Sequence, residues 1–340
     1  MNLIIKPTQR CNFACSFCSS TDIAKSNRKS DDLDIEKIKK FLKRFPETSL
    51  IIVNGGDPLM VDPSYYYEII DYLDEIDNKE CRIDFTTNLW DWWKKPEKWD
   101  KLFKNSRINI TTSFNYGETR KITKNLVYTE DIFIQVVSKF KNDFGYLPNF
   151  ISVISNDNKD KAVNNVKLAK FLGVECKMNY AVSSGRSDKN FAIGDMYNIY
   201  LDVYENGLHE WEFSTKQMLK KLKNYSTVCP LNRRCDSNIR NLQPKSSDGY
   251  EYGSCGAFGD DRKYGIDFDE EVVNNSQIKT PLRYEKDINF LKEECFSCPM
   301  FSTCNGCYKT IYDLKKNNLV EHSCNSMKKF YERAKSLGIA

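Results

Sequence analysis

Three cysteines near the amino terminus have the spacing of a metal-cluster site. Cys11, Cys15 and Cys18 lie in the string CNFACSFC, a C-x3-C-x2-C triplet. Thiolates are the usual ligands of iron–sulfur clusters, and an ordinary four-iron cluster has four of them. A cluster held by three thiolates leaves one iron open to a small molecule. A zinc site is the alternative, but zinc sites commonly pair two C-x2-C motifs, and no fourth ligand is evident nearby.

A second group of eight cysteines lies beyond residue 220. It comprises Cys229, Cys235, Cys255, Cys295, Cys298, Cys304, Cys307 and Cys324. Eight thiolates satisfy two four-cysteine clusters with none left over. A pair of zinc ribbons fits this spacing about equally well, because thiolates suit both metals. The spacing alone leaves both interpretations open.

Composition and charge indicate the partners and the cellular compartment in which these cysteines occur. The 51 basic and 47 acidic residues leave a net charge of +4, so nothing demands a nucleic-acid partner. No run of about 18 apolar residues indicates a membrane helix, and the first residues lack the features of a secretory signal. We expect a cytoplasmic protein. In that reducing compartment, thirteen cysteines favour metal or cluster ligation over disulfides.

The first half of the chain alternates short β-like runs with helical periodicity. Predicted strands cover residues 3–5, 50–53, 83–85, 108–110, 150–153 and 176–178, and predicted helices lie near 34–45, 64–76, 97–104, 129–143, 159–172 and 192–206. This alternation predicts an α/β fold, a partial (β/α)6 TIM-like barrel with its active site at the carboxyl ends of the strands. We expect the barrel domain to span residues 1–220. A small, irregular, cysteine-rich iron–sulfur domain would span 221–340, with metal sites supplying stability.

The string CNFACSFC, with the aromatic Phe17 before its third cysteine, resembles the signature of the radical S-adenosylmethionine (SAM) superfamily. In that family the open iron of a [4Fe-4S] cluster chelates the amino and carboxylate groups of SAM. Reductive cleavage then yields methionine and a 5′-deoxyadenosyl radical, which abstracts a substrate hydrogen. The resemblance also implies an electron donor such as a flavodoxin or a ferredoxin.

Further motifs of this superfamily follow in the expected order. Gly55, Gly56 and Asp57, followed by proline, resemble its GGEP motif, which receives the SAM amino group, although aspartate replaces the usual glutamate. Asn88 lies in a segment similar to the T-N-G motif, with Leu89 at the usual glycine position. The resemblance predicts that Asn88 points into the barrel mouth.

The segment after the fourth predicted strand resembles the S-x-D-G motif of the family. Ser113 is the candidate for a hydrogen bond to the SAM ribose or carboxylate, and Arg120 is the candidate carboxylate partner. A polar turn after a strand explains each residue about equally well.

The eight later cysteines resemble the SPASM extension of radical SAM enzymes that mature peptides and proteins. Two residues, where three are usual, separate Cys304 from Cys307. Carried over by position, the first auxiliary [4Fe-4S] cluster would use Cys229, Cys235, Cys255 and Cys307. The second would use Cys295, Cys298, Cys304 and Cys324. The resemblance therefore implies three clusters in all.

The resemblance implies a peptide or protein side chain as substrate, with crosslinking, epimerisation or oxidation as outcome. Gly256 stands where sulfatase-maturating members carry an aspartate, so that reaction is disfavoured. Many peptide maturases begin with a precursor-recognition domain, whereas the triplet here starts at residue 11, so we expect a peptide substrate to be recognised by the barrel mouth or by a separate protein. The position of the triplet and the group of Trp90, Trp92 and Trp93 motivate the alternative, a small-molecule or nucleotide substrate. We expect two of the three tryptophans to be core residues, and Trp90 could stack on a nucleobase. A non-catalytic metal-binding interaction module is a remote third possibility.

Two further cysteines and the two histidines are predicted to lie outside the catalytic and metal sites. Cys81 and Cys176 each begin a predicted strand and should be buried thiols. His209 and His322 are too scattered for a histidine metal site. We expect His322 to be a surface residue or to lie behind the ligand Cys324.

Overall fold

Branched aliphatic runs and amphipathic stretches form the strands and helices of this protein. The computed structural model describes residues 1–19, 32–182, 191–223, 239–244, 252–253, 268, 295, 297–301, 303–304 and 308–340. The strands are β1 (Asn2–Ile5), β2 (Leu50–Val53), β3 (Arg82–Thr86), β4 (Ile108–Ser113), β5 (Lys121–Thr123), β6 (Leu126–Val127), β7 (Asn149–Ile154), β8 (Cys176–Tyr180), β9 (Ile239–Leu242) and β10 (Tyr252–Gly253). The helices are α1 (Ile35–Arg44), α2 (Ser64–Glu75), α3 (Trp90–Lys94), α4 (Pro96–Phe103), α5 (Glu130–Phe144), α6 (Ala162–Leu172), α7 (Ile193–Glu205), α8 (Phe213–Leu222), α9 (Tyr308–Lys316) and α10 (Val320–Ser336).

Eight of the described strands form one sheet in the order β10-β9-β1-β2-β3-β4-β7-β8. All neighbours pair in parallel except β9 and β10, which are antiparallel. The central six strands follow the chain order, as repeated β/α units with right-handed crossovers require. The short hairpin β5–β6 stands apart from this sheet. The predicted α/β class and the partial TIM-like barrel are therefore confirmed.

The two faces of the sheet differ in burial. Alternate residues such as Leu3, Ile5 and Ile51 are fully buried and join a core with apolar side chains of the helices, including Phe41 of α1. The intervening residues, among them Ile4, Ile52, Asp84 and Thr86, are only half-buried. We call this second face, which the helices leave uncovered, the inner face. In a barrel it lines the interior below the active site.

The end of the chain packs back onto the barrel. Gly194, in the first turn of α7, approaches α10 so closely that an added Cβ would lie 2.6 Å from the Ser323 carbonyl oxygen. Asp195 accepts a hydrogen bond from Ser326 Oγ (2.7 Å), and Tyr197 makes an edge contact with Phe330. This interface, the α7–α10 contact, joins the carboxy-terminal region to the barrel.

All six predicted strands and all six predicted helices are observed. The sequence did not predict the β5–β6 hairpin, the helices α3, α8, α9 and α10, or the addition of β9 and β10 beside β1. The division of the chain at residue 220 stays a prediction. Among the described helices, none combines the length and the apolar character needed to cross a membrane.

Candidate functional site

The three amino-terminal cysteines lie in the loop that follows β1, at the carboxyl end of that strand. Cys15 is buried, and Cys11 and Cys18 are half-buried. Burial raises the pKa of the Cys11 thiol well above its ordinary value, and the negative charges of Asp57, Cys15 and Cys18 raise it further. The three sulfurs are thus gathered in a place where thiolates repel one another. The positive charge of bound iron would relieve this repulsion.

The glycine motif holds one side of this cysteine loop. The amide of Gly56 donates to the Thr8 carbonyl (3.0 Å), and the amide of Asp57 donates to the Arg10 carbonyl (2.8 Å). A Cβ on Gly56 would lie 2.0 Å from the Arg10 carbonyl oxygen, and one on Gly55 would lie 2.5 Å from that of Thr8. Gly55 also has a φ of +119°, which favours glycine. The glycines therefore let the motif pack directly against the backbone that presents Cys11.

Asp57 is turned into the protein beneath this contact. Its carboxylate accepts hydrogen bonds from Thr87 Oγ1 (3.0 Å), the Asn88 amide (2.8 Å) and the Leu59 amide (3.0 Å). Burial nevertheless outweighs these bonds and raises the pKa of Asp57 to about 6. The carboxylate thus joins the loops after β2 and β3. Its predicted contact with the SAM amino group stays a prediction.

Asn88 connects the third loop to the cysteine loop. Its Nδ2 donates to Asn12 Oδ1 (2.7 Å), and its Oδ1 accepts from the Trp90 amide at the start of α3 (2.8 Å). The side chain therefore bridges two parts of the site. The next residue, Leu89, has a φ of +60°, in the left-handed region. The backbone thus keeps the conformation that glycine usually takes there, although the residue is a buried leucine.

The loop after β4 supplies a hydrogen-bonded group around Arg120. The guanidinium donates to Ser113 Oγ (3.0 Å) and to Asn115 Oδ1 (3.2 Å), and it lies 5.1 Å from the centre of the Phe17 ring. Arg120 is only 6% exposed, and no carboxylate among the described residues pairs with it. A buried guanidinium without a counter-charge is suited to bind a carboxylate. The structure brings together Phe17, Ser113 and Arg120, three of the predicted SAM-binding residues.

The hairpin region holds the other side of the cysteine loop. The amides of Ala14 and Ser16 donate to the carbonyls of Lys121 (2.7 Å) and Thr119 (2.9 Å). Phe13 packs edge-on against Tyr128, with ring centres 5.1 Å apart. The loop between the cysteines is therefore fixed from two directions.

The sequence reasoning missed several of these supporting residues. They are Asn12, Asp32, Thr119 and Tyr128, together with the supporting role of Thr87, which the sequence had placed only in the T-N-G-like segment. Asp32 forms an ion pair with Arg10, next to Cys11. The signal that could have found Asn12 and Thr87 is their direct adjacency to motif residues. Nothing in the local sequence around Tyr128 indicates a contact with a loop more than one hundred residues away.

The structure describes four of the eight carboxy-terminal cysteines. Cys295, Cys298, Cys304 and Cys324 are half-buried, and burial raises the pKa of the Cys304 thiol to about 12, with further contributions from Cys324, Cys298 and Cys295. The four thiols thus lie near one another, with Cys324 on α10. Across the described part of the chain, no three cysteine, histidine or carboxylate groups converge as ligands of a single metal ion. A four-iron cluster does not require this convergence, because each thiolate binds a different iron. The predicted ligands Cys229, Cys235, Cys255 and Cys307 lie outside the described residues.

The remaining predictions concern residues away from the cysteine loop. Cys81 and Cys176 are fully buried, as predicted, and burial raises both thiol pKa values, that of Cys81 to about 11. His322 is exposed and lies 3.0 Å from Asp195 of α7. Trp92 is a core residue, as predicted for part of the tryptophan group.

Trp90 and Trp93 are half-buried. They pack against each other, with ring centres 4.9 Å apart, and Trp90 also contacts Phe13 of the cysteine loop. Trp90, packed against Trp93, thus supports the cysteine loop through its contact with Phe13.

Comparisons with known proteins agree with this fold. The chain resembles solved structures of anSMEcpe, one with bound AdoMet (TM-score 0.67, 17% identity, covering 99% of this chain and 97% of that one) and one with AdoMet and the Kp18Cys peptide (TM-score 0.67, 16% identity, 98% and 97%). It also resembles SuiB of Streptococcus suis bound to its precursor peptide SuiA (TM-score 0.55, 15% identity, 91% and 72%). At these identities the likeness shows a shared fold. No curated protein sequence matches the chain significantly.

The family model of the Radical SAM superfamily matches residues 5–192. This range contains the cysteine loop, the glycine motif and the Arg120 group, and it covers more than half of the chain. The protein therefore belongs to the radical SAM superfamily.

Proposed function

We propose that this protein is a radical SAM enzyme that modifies a side chain of a peptide or protein. The observation that carries the proposal is the arrangement around the cysteine loop. Three gathered thiols lie beside a buried guanidinium that has no carboxylate partner among the described residues. One position would hold an iron cluster and the other would hold the carboxylate of SAM.

The residues present fit a SAM-binding cluster. Cys11, Cys15 and Cys18 would ligate three irons of a [4Fe-4S] cluster and leave the fourth to SAM. Bound there, the cluster and SAM would together supply a 5′-deoxyadenosyl radical able to abstract a substrate hydrogen. The protein holds the loop rigidly through Gly56 and Asp57 on one side and Thr119 on the other. Rigid support of this kind keeps reacting groups aligned.

Arg120 would orient SAM through a charge-assisted hydrogen bond to its carboxylate. Ser113 and Asn115 hold the guanidinium in position, and Phe17 covers one face of it. The burial of Arg120 excludes water, which strengthens its attraction for a carboxylate. The amino group of SAM would lie at the Gly55–Asp57 loop, where the buried Asp57 carboxylate supplies negative charge.

Two observations support a peptide or protein as substrate. Among the solved structures of similar fold, one anSMEcpe structure contains the Kp18Cys peptide and one SuiB structure contains the precursor peptide SuiA. The order of the eight later cysteines resembles the SPASM extension, which occurs in peptide-maturing enzymes. We place the second auxiliary cluster at Cys295, Cys298, Cys304 and Cys324, whose thiols affect one another electrostatically. The first would use Cys229, Cys235, Cys255 and Cys307, which lie outside the described residues. Gly256, also outside them, stands where sulfatase-maturating members carry an aspartate, and this disfavours the sulfatase reaction.

The primary test is anaerobic reconstitution of the full chain with iron and sulfide. We expect about twelve irons per chain, four for each cluster. With dithionite, or with a flavodoxin or ferredoxin as electron donor, the enzyme should release 5′-deoxyadenosine from SAM. About four irons together with bound zinc would overturn the two auxiliary clusters. Continued release of 5′-deoxyadenosine after replacement of Cys11, Cys15 and Cys18 by alanine would overturn the SAM site.

Two further measurements separate the parts of the proposal. Arg120→Gln should keep its iron but bind SAM about tenfold or more weakly, because a charged hydrogen bond is lost. Unchanged SAM affinity would contradict the assigned role of Arg120. The substrate class is tested by incubation with peptides encoded beside the gene and with a nucleoside pool. A mass change in the nucleosides alone would favour the small-molecule alternative.

A further inference from the structure

Asn158 is a fully buried asparagine in the connection between β7 and α6, at the carboxyl end of β7. The backbone of this connection orients its side chain. Nδ2 donates to the Val153 carbonyl (2.9 Å), and Oδ1 accepts from the Ser155 amide (2.8 Å). The side-chain amide cannot turn over without losing both bonds, because its donor and its acceptor would exchange places. The second hydrogen of Nδ2 is therefore directed to a fixed place.

This second hydrogen reaches the loop after β4. Asn158 Nδ2 donates to Thr119 Oγ1 (3.2 Å), and Asn115 Nδ2 donates to the same hydroxyl oxygen (2.7 Å). Two amide donors thus converge on one oxygen and occupy both of its lone pairs. We call this connected group, formed by Asn158, Thr119 and Asn115, the asparagine chain.

The asparagine chain ends at the guanidinium of Arg120. Asn115 Oδ1 accepts from Arg120 Nε (3.2 Å), and Ser113 Oγ accepts from Nη1 (3.0 Å). If the amide of Asn115 turned over, its Nδ2 would face the guanidinium, and two donors would meet. The N–H groups of Nη2 have no acceptor among the described residues and stay available for a ligand. The chain therefore fixes the acceptor that holds one side of the guanidinium.

Burial strengthens the effect of the asparagine chain on Arg120. Asn158 and Asn115 are fully buried and Thr119 is 4% exposed, so water does not compete for these hydrogen bonds. A hydrogen bond to a carboxylate depends on the direction of the N–H group, and a guanidinium that is already held loses less freedom when a ligand binds. The chain therefore sets the direction in which Arg120 presents its remaining N–H groups.

The backbone of the loop after β4 has supports of its own. The amide of Tyr116 donates to Asn165 Oδ1 (2.9 Å) on α6, and the Thr119 carbonyl accepts from the amide of Ser16 in the cysteine loop (2.9 Å). Neither bond involves Asn158. Loss of the Asn158 amide should therefore leave the loop and the cysteines in place and change the hydrogen bonds that lead to Arg120.

We propose that Asn158 is a positioning residue for SAM, which orients the Arg120 guanidinium toward the SAM carboxylate through Thr119 and Asn115. This inference rests on the proposed function and adds a residue that acts through Arg120. Asn158 should affect only the part of the SAM affinity that the carboxylate contributes. The adenosyl part of SAM and the iron content should be insensitive to it.

The test uses the reconstituted full-length enzyme without reductant, so that binding is measured without radical chemistry. The probes are SAM and decarboxylated SAM, which keeps the amino group, the sulfonium and the adenosine. Calorimetry gives the ratio of the two dissociation constants, the carboxylate preference. Asn158→Ala should lower this preference about fivefold or more, because a buried hydrogen-bond connection to Arg120 is lost. Its affinity for decarboxylated SAM and its iron content should stay unchanged.

Three comparisons show whether the effect runs through the asparagine chain. In the Arg120→Gln enzyme, the further change Asn158→Ala should leave the carboxylate preference as it is, since the residue on which it acts is gone. Thr119→Val removes the hydroxyl at nearly constant shape and should lower the preference, whereas Thr119→Ser should keep it. Asn78→Ala is the matched control, because it removes side-chain hydrogen bonds to the backbone at Pro46, Thr48 and Cys81, in the turn before β3, and it should keep the preference.

An unchanged carboxylate preference in Asn158→Ala would overturn the inference, as would an equal loss of affinity for both probes. Effects of Asn158→Ala and Arg120→Gln that multiply in the double variant would also overturn it. If Asn158→Ala does not fold, the pair Thr119→Val and Thr119→Ser decides by the same ratio. Failure of the proposed function is read separately, as absence of SAM binding and of 5′-deoxyadenosine release in the unmodified enzyme.

Discussion

Replacement of Gly56 by alanine should dislodge the cysteine loop without changing any ligand. The new Cβ would lie 2.0 Å from the Arg10 carbonyl oxygen and 2.5 Å from that of Gln9, whereas ordinary contacts begin near 3.4 Å. The two backbones must separate by more than an ångström. This movement breaks the hydrogen bonds from Gly56 to Thr8 and from Asp57 to Arg10. Two such bonds contribute about 2 kcal/mol to the free energy of unfolding.

The displacement acts directly on Cys11, because Arg10 precedes it in the chain. A misplacement of about 1 Å can cost on the order of a hundredfold in rate. We therefore expect Gly56→Ala to release 5′-deoxyadenosine at least about a hundredfold more slowly. Iron content after reconstitution should fall by about four per chain. The assays are iron quantification, electron paramagnetic resonance of the reduced enzyme and chromatography of the nucleoside product.

Gly145→Ala is the matched control for this experiment. Gly145 has a φ of +82°, so alanine is strained there, but no atom lies within 4 Å of the added Cβ. This control should lose about 1 kcal/mol of stability and keep its iron and its rate. Full iron and an unchanged rate in Gly56→Ala would refute the steric explanation of the glycine motif.

Three further changes test other parts of the structure. Leu89→Gly relieves left-handed backbone strain of about 1 kcal/mol but removes a buried side chain that contributes about 3 kcal/mol to the free energy of unfolding. Chemical denaturation should therefore show a net loss of about 2 kcal/mol, and a gain in stability would contradict this balance. Glu212 is buried and accepts hydrogen bonds from the amides of Met178 (2.7 Å) and Ser214 (3.0 Å). Burial raises the pKa of its carboxyl group. The contribution of this group to stability is therefore full below the ordinary glutamate pKa of about 4.3 and is lost as pH rises through the raised pKa. Glu212→Gln should therefore make the free energy of unfolding less dependent on pH between the ordinary and the raised pKa of Glu212, and an unchanged pH dependence in urea titrations would count against it. Gly194→Ala should push α10 and its Cys324 away from α7, so that the iron content falls by about four per chain while 5′-deoxyadenosine release persists. The control is Gly207→Ala, because no atom lies within 4 Å of the added Cβ. Full iron content in Gly194→Ala would show that the α7–α10 contact does not position Cys324.

Much of the barrel was predictable because its information is local. Period-two burial in β2 and the three- and four-residue spacing of Ile38, Phe41 and Leu42 in α1 are properties of short segments. The triplet of cysteines needs only a short stretch of chain, so its spacing indicated a cluster directly. The confirmed family membership rests on residues 5–192, a range that contains these strings.

The supports of the site were not predictable in this way. Thr119 and Tyr128 reach the cysteine loop only because the loop after β4 and the one after β1 meet at the same end of the barrel. The sequence placed Asn88 at the mouth of the barrel, but it did not predict that the side-chain amide would bridge to Asn12 of the cysteine loop. Such contacts depend on strand register and loop geometry, which no short segment encodes by itself.

The sequence alone determined the type of fold, the order of its six β/α units and the presence of a three-cysteine cluster motif. Tertiary structure decided what the motif residues do. It showed that Gly56 makes room for the Arg10 carbonyl and that Arg120 is buried without a described counter-charge. The physical reason is that chemistry-bearing residue types and periodicity are written along the chain, whereas close approach, burial and charge compensation arise only between segments that folding brings together.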